Sequence, residues 1–326
     1  MFRTEVDVPN TGLNVTLQDK VLTIGSCFAE VIGNKLQQHK VDVLTNPFGT
    51  LFNPVSVCQL LNTAAGTPYN FESHLVQHNG IWYAYDLHSS ISSPDKNQLL
   101  KQIQERLQIT DQYLQTANLL IITLGTAVAY KLLENGNVVA NCHKLPSKHF
   151  NRLLLNLQDT LHAFEQTLQL LKSINPKLKV VLTVSPVRHV KETLTMNSVS
   201  KSQLRLLCHY LQERYQEVLY FPAYEIMMDD LRDYRYYKDD MLHPTTLAEN
   251  YIWDKFINAY YEEQFKRFAA EWGKLSKALV HRPFHPESEG HQAFLKNTIT
   301  QLKQLSEKYK INTTSEIEYL TAQLKS

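Results

Sequence analysis

Short apolar runs closed by polar turns alternate along the chain with longer stretches whose apolar residues recur every three or four positions. The first pattern belongs to buried strands and the second to amphipathic helices. Residues 21–25 (VLTIG) read as a buried strand, 27–40 as a helix and 41–44 as a second strand. Helical spacing follows at 59–65 and 97–107. The run 119–130 (LLIITLGTAVAY) begins as a strand, and 138–141 forms a short one after the turn Glu134-Asn135-Gly136-Asn137. A helix is predicted over 153–174, where leucines and Phe164 line one face. The strand 179–184 stops at Ser185-Pro186. A helix over 200–216, a strand over 218–221 and a long helix over 248–270 complete the alternation.

Such alternation predicts an α/β fold with a doubly wound, mainly parallel sheet sandwiched by helices. Ligands of such sheets bind at the carboxyl ends of the strands. From about residue 274 the pattern changes to a Pro/Gly/His loop, HRPFHPESEG (281–290), and two polar amphipathic helices near 291–309 and 314–325. The expected division is an α/β domain over 1–260 and a helical extension over 261–326. That extension would pack on the domain or serve self-association.

Charge narrows the partners. Lys and Arg total 33 against 32 Asp and Glu, a formal net charge of +1. Without a basic excess, neither a nucleic acid nor a membrane surface is expected as a partner. The apolar share of 43% and charged share of 20% exclude a disordered chain. Four cysteines (Cys27, Cys58, Cys142, Cys208) form no CxxC pair, which points to a reducing, cytoplasmic setting. No basic-then-apolar leader opens the sequence, and the longest apolar run, 119–124, is too short for a membrane span. Glycine is scarce, ten in 326 residues, so those beside polar clusters draw notice.

Two clusters fall at predicted strand ends. Gly25-Ser26-Cys27 joins the first strand to the first helix. A serine there has its hydroxyl at the carboxyl edge of the sheet and its N–H at a helix N-terminus, which suits a developing oxyanion. An ordinary helix cap would also use a serine. The other cluster, Asp240-Met241-Leu242-His243, lets one loop deliver a carboxylate and an imidazole. The carboxylate can hold Nδ1–H and leave Nε2 to take a serine proton. A solvated turn is the alternative. Cys27 points away from its neighbour's direction and is expected under the helix.

The two clusters resemble the first and last sequence blocks of the SGNH (GDSL-like) hydrolases. The segments GSCFAE (25–30), NPFGTLFNP (46–54), DLHSS (86–90), TLGTA (123–127), NCHKLP (141–146), TVSPVRH (183–189), YFPAYEIMMDDLRDYR (220–235) and DDMLHP (239–244) resemble, in order, the GSCFA family. The resemblance spans about residues 15 to 260. It implies an SGNH-like, flavodoxin-like three-layer fold with Ser26 as nucleophile, His243 as base and Asp240 as its partner. The N–H groups of Ser26 and Gly49 are the implied oxyanion donors. In one place the chain departs from the SGNH pattern: Gly125 is not followed by the asparagine that completes the third block. Thr126 is a weaker substitute donor, and Asn141 is the expected one.

Arg188 and His189 follow a strand end and are expected in the crevice, with Thr126, His143, Asp86 and His88 completing a substrate-binding set. Arg188 offers paired donors to a carboxylate or phosphate, or pairs with Asp229, Asp230 or Asp233. Asp86 and His88 read as a second acid/base pair or as a hydrogen-bonded loop. The tyrosines of 220–237 are expected to anchor the Asp-x-x-His loop. Among thirteen histidines, His74-x-x-x-His78 has ligand-like spacing and Cys142-His143 adds soft ligands, but no third or fourth ligand sits at a recognisable spacing, so neither metal nor cofactor is expected. The function these readings imply is serine-dependent hydrolysis of an acyl ester, such as an acetyl group on a carbohydrate. An O-acyltransferase with the same triad, or a binding module on the same scaffold, are the alternatives.

Overall fold

A computed structural model describes residues 3–324. Five parallel strands form its centre: β1 (Lys20–Gly25), β2 (Asp42–Thr45), β3 (Leu119–Leu124), β4 (Lys179–Val184) and β5 (Val218–Phe221). Their spatial order is β5-β4-β3-β1-β2. A sheet covered on both faces needs apolar side chains at successive positions, and all six residues of β3 are buried. Leu22, Ile24, Leu120, Ile122 and Leu182 face one core; Val21, Leu119, Ile121 and Val181 face the other.

The first core is closed by α2 (Pro54–Ala64), α3 (Lys96–Thr116), α4 (Leu157–Ile174) and α5 (Leu194–Arg214). The second is closed by α1 (Cys27–Gln38), α6 (Thr246–Tyr260), α7 (Glu263–Leu279), α8 (Glu289–Tyr309) and α9 (Thr314–Thr321). The result is the doubly wound, three-layer α/β sandwich with C-terminal helices that the alternation predicts. Because β2 lies on one side of β1 and β3 on the other, the order reverses there. This leaves a crevice beyond the carboxyl ends of β1 and β3.

Several boundaries differ from the sequence reading, each for a local reason. The helix predicted from 153 starts at Leu157, because the Asn156 side chain caps the N–H groups of Gln158 and Asp159. The preceding Phe150–Leu154 is a strand instead, paired antiparallel with Val128–Leu132. The helix predicted over 248–270 is broken at Tyr261. There Val15 takes the Glu262 N–H and donates to the Tyr260 carbonyl, and this long-range pairing holds the chain extended. Thr193 caps α5 six residues before the predicted start, and α3 runs nine residues past its predicted end.

The division expected at 260/261 falls at the turn between α6 and α7. Phe265, Phe268 and Trp272 of α7 lie in one core with Phe28, Ile32 and Leu36 of α1. Trp272 Nε1 donates to the Gln38 carbonyl (2.6 Å), and Lys40 pairs with Glu316 (2.5 Å). The last position of the helix expected over 314–325 lies outside the described residues. Among the described residues no helix is long and apolar enough to cross a membrane.

Candidate active site

Ser26 sits where β1 turns into α1. Gly25 before it has φ +133°, and a methyl group there would lie 2.1 Å from the Thr123 carbonyl oxygen, so only glycine fits. The Ser26 hydroxyl caps α1, accepting from the Phe28 N–H at 3.3 Å. Its backbone N–H donates to the Thr123 carbonyl (2.9 Å), and its carbonyl accepts from Asn46 Nδ2 (3.4 Å). The residue has 0% exposure. The segment 46–53 lies across the same strand ends: Leu51 N–H donates to Gly25, and the Phe52 carbonyl accepts from Gly125 and Thr126.

The Asp240–His243 loop is an ordered dyad. Asp240 Oδ2 meets His243 Nδ1 at 2.6 Å, while Oδ1 accepts the N–H groups of Leu242 and His243, both at 2.9 Å. Those two backbone donors, and then the ring, hold the Asp240 carboxyl down at about 2. His243 Nε2 makes no hydrogen bond, and Ser26 and His243 are not bonded to each other. The loop is tied back through Lys238 N–H to the His243 carbonyl (2.8 Å) and Arg188 N–H to the Leu242 carbonyl (3.4 Å).

Arg188 stacks over Tyr237 (4.2 Å to the ring centre) and Tyr234 (5.4 Å), so the tyrosines fix the crevice wall behind this loop. Among the described residues, the alternative pairing of Arg188 with an aspartate is not seen. Asp230 instead pairs with Arg3 and Lys255, and Asp233 with Arg235.

The other predicted residues separate into those near the crevice and those built into the fold. Thr126, Asn141 and His189 line one cavity of about 240 Å³ with Phe52 and Asn53. Asn141 donates one amide N–H to Ser89 Oγ (3.2 Å) and accepts the His143 N–H (2.9 Å), so it braces the loop with one of its two donors engaged. The Gly49 N–H is likewise engaged, by the Asn46 carbonyl at 2.8 Å. Thr126 Oγ1 is bonded with Ser200 Oγ (3.0 Å).

His143 is buried with both ring nitrogens occupied, by Ser89 Oγ and the Ala84 carbonyl, and it stacks on Tyr83. That leaves neither ring nitrogen free for a substrate in this structure. Asp86 is also structural: it is buried, takes the Tyr69 hydroxyl (2.8 Å) and faces His74 Nδ1 (3.2 Å). His88 packs on Gly49 and bonds Ser90 Oγ (2.9 Å) beside a separate cavity with Asn46 and Arg106. His74 closes a 3₁₀ turn and His78 ends the strand Leu75–His78 that follows it, so the two do not share a helix face. Among the described residues, no three His, Cys, Asp or Glu side chains group as a metal site.

The sequence reading passed over Lys201. It is 1% exposed, and its ammonium donates to the carbonyls of Gly125 and Ser185, both at 2.7 Å. It thereby ties together the residues that follow β3 and β4. Burial pushes its pKa down to about 7. Cys27 lies within its electrostatic reach, and burial raises that thiol. A signal was present: Asn197, Ser200, Lys201, Leu204, Cys208 and Leu211 fall on one helical stripe, and all are buried.

These features define a doubly wound α/β protein with a capped serine at the β1/β3 switch point and an Asp-His loop tied to the end of β4. The sequence profile of the GSCFA family matches residues 20–256, and that of the GSCFA domain protein, C-terminal domain, matches residues 272–326. The chain belongs to the GSCFA family. No curated protein matches it. Among solved structures it is similar to a carbohydrate esterase family 3 from Talaromyces cellulolyticus, at 10% identity over 78% of this chain and 99% of that one, with a TM-score of 0.36. It is also similar to the Clostridium thermocellum family 3 carbohydrate esterase, at 13% identity over 78% and 98%, with a TM-score of 0.32. Both likenesses are slight, and the family assignment rests on the sequence match.

Proposed function

We propose that this GSCFA protein is a serine-dependent hydrolase of acyl esters. Ser26 Oγ attacks the acyl carbonyl, and His243 Nε2 takes the hydroxyl proton and returns it to the leaving alcohol. Water then clears the acyl-enzyme by the same route. The observation that carries this reading is the Asp240–His243 pair. A 2.6 Å contact fixes Nδ1, two backbone donors keep the carboxylate ionised, and Nε2 is left open. A solvated turn would not need that arrangement. The position of Ser26 at a helix N-terminus on the switch point adds support. A small acyl ester, an acetyl group on a carbohydrate being the expected kind, is the substrate class this reading takes.

Because Ser26 is fully covered, the reactive state requires a rearrangement that uncovers its hydroxyl. The same burial favours a second reading, a ligand-binding module that never exposes its serine. Labelling with a fluorophosphonate, on the intact chain and on Ser26→Ala, separates the two. Labelling lost in the variant, with aryl-acetate hydrolysis abolished by His243→Ala, is the expected result. Labelling that persists in Ser26→Ala removes Ser26 as nucleophile, and no labelling of either chain favours the binding module.

A further inference from the structure

The three groups expected to meet the acyl oxygen each have a partner inside the protein, although the Asn141 amide keeps a second N–H. Ser26 N–H is held by Thr123, Gly49 N–H by Asn46, and the Asn141 amide by Ser89. One buried ring nitrogen at the same strand ends has none. His189 Nε2 is covered from solvent and makes no hydrogen bond. It lies 3.2 Å from the point where a side chain on Gly125 would begin. Gly125 stands two residues beyond Thr123, which is in register with Gly25, so this nitrogen is at the strand end next to the serine.

The residue is held through its ring and its backbone. Its edge packs on Phe52 (5.0 Å between centres, 75° between planes), and its backbone N–H donates to Asn197 Oδ1 (2.9 Å). The residue before it is bonded to the loop that carries His243. A buried polar nitrogen without a partner is a standing cost to the fold and calls for a role. Burial, then the nearby Lys201 and His243, lower this imidazole to about 3. At neutral pH it is uncharged, with one N–H to give, and it does not compete with His243 for the serine proton.

We propose that His189, protonated at Nε2, is the hydrogen-bond donor to the acyl oxygen as charge develops on it during attack by Ser26. This assignment rests on the hydrolase reading above. A neutral imidazole acts here as a fixed electrophile, whose donor is aimed before the charge appears. No proton leaves the ring: the N–H bond stays intact, and the negative charge on the acyl oxygen collapses back when the alcohol departs.

Two variants of opposite character separate donation from packing. His189→Phe keeps an aromatic ring against Phe52 but has no donor, whereas His189→Gln keeps an N–H donor and loses the ring. With an aryl acetate as substrate, His189→Phe is expected to lower kcat by about 10²–10³-fold with KM within about threefold, while His189→Gln retains most of the wild-type kcat. Thermal melts followed by circular dichroism rank the stabilities. A purely structural histidine reverses the order, with Phe active and Gln impaired, and that result overturns the proposal. So does a His189→Phe protein within threefold of wild-type kcat. If the wild-type chain shows no Ser26-dependent turnover, the hydrolase reading falls and takes this assignment with it. Turnover that survives His189→Phe overturns only the role of His189.

Discussion

At the scale of single residues, the site is governed by groups placed against their solvation preference. Lys201 is the clearest, a cation inside the α/β core held by two carbonyls. Its pKa is lower folded, at about 7, than unfolded, at roughly 10.4. Between those values the unfolded chain carries the extra proton, so stability rises with pH across the window and the burial cost is full below pH 7. Lys201→Met removes that titration. Urea unfolding of both proteins at pH 7 and at pH 9.5 should show wild type gaining on the variant by about 3 kcal/mol. A pH-independent difference would contradict the buried charge. Asp240 is exposed, and under the proposed hydrolase reading its effect is on chemistry. Asp240→Asn should lower kcat for an aryl acetate by about 10³–10⁴ with the fold intact, since the imidazole loses its orienting acceptor.

At the scale of elements, the strand-to-helix turn at residues 25–26 and the segment 46–53 determine where the serine sits. Gly25→Ala pushes a methyl group into the Thr123 carbonyl and should destabilise the protein by at least about 2 kcal/mol, read as a lower urea midpoint at unchanged slope. A midpoint equal to wild type would mean the two strand ends are less tightly joined than their 2.9 Å bond implies. The central strands were legible in the sequence to within a residue or so, because a buried parallel strand is a continuous apolar run. Helix starts were less legible where the cap lay outside the apolar pattern, as at Asn156 and Thr193. The early start of α2 carried a readable signal, Asn53-Pro54, a capping residue followed by proline at the first helical position.

At the scale of the whole molecule, the C-terminal helices belong to the same packed body as the serine-bearing helix. The Trp272 indole donates to the last turn of α1, whose N-cap is Ser26, and stacks beside Phe268 in the core shared with Trp253 and Phe256. Trp272→Ala should therefore cost about 3–5 kcal/mol in global stability, measured by denaturant unfolding. Loss confined to the tail, seen as a separate early transition that leaves the main one unmoved, would show the extension to be an independent unit.

The sequence by itself determined the alternation of strands and helices, the chemistry available at the strand ends, and the Asp-x-x-His pair, because each depends on residues close together in the chain. The dyad needs only a three-residue spacing and the left-handed turn at Met241. Tertiary structure decided everything that depends on distant residues meeting. Asn141 was plausible as a donor by type and position, yet Ser89, 52 residues away, takes one of its two amide N–H groups. His143 and Asp86 looked functional as polar residues in loops, and became structural once Ala84 and Tyr69 closed around them. Lys201 and His189 gained their importance only when the sheet brought Gly125, Ser185 and Phe52 to the same edge. Local pattern fixes which face of an element is apolar, but hydrogen-bond partners and desolvation are properties of the assembled core.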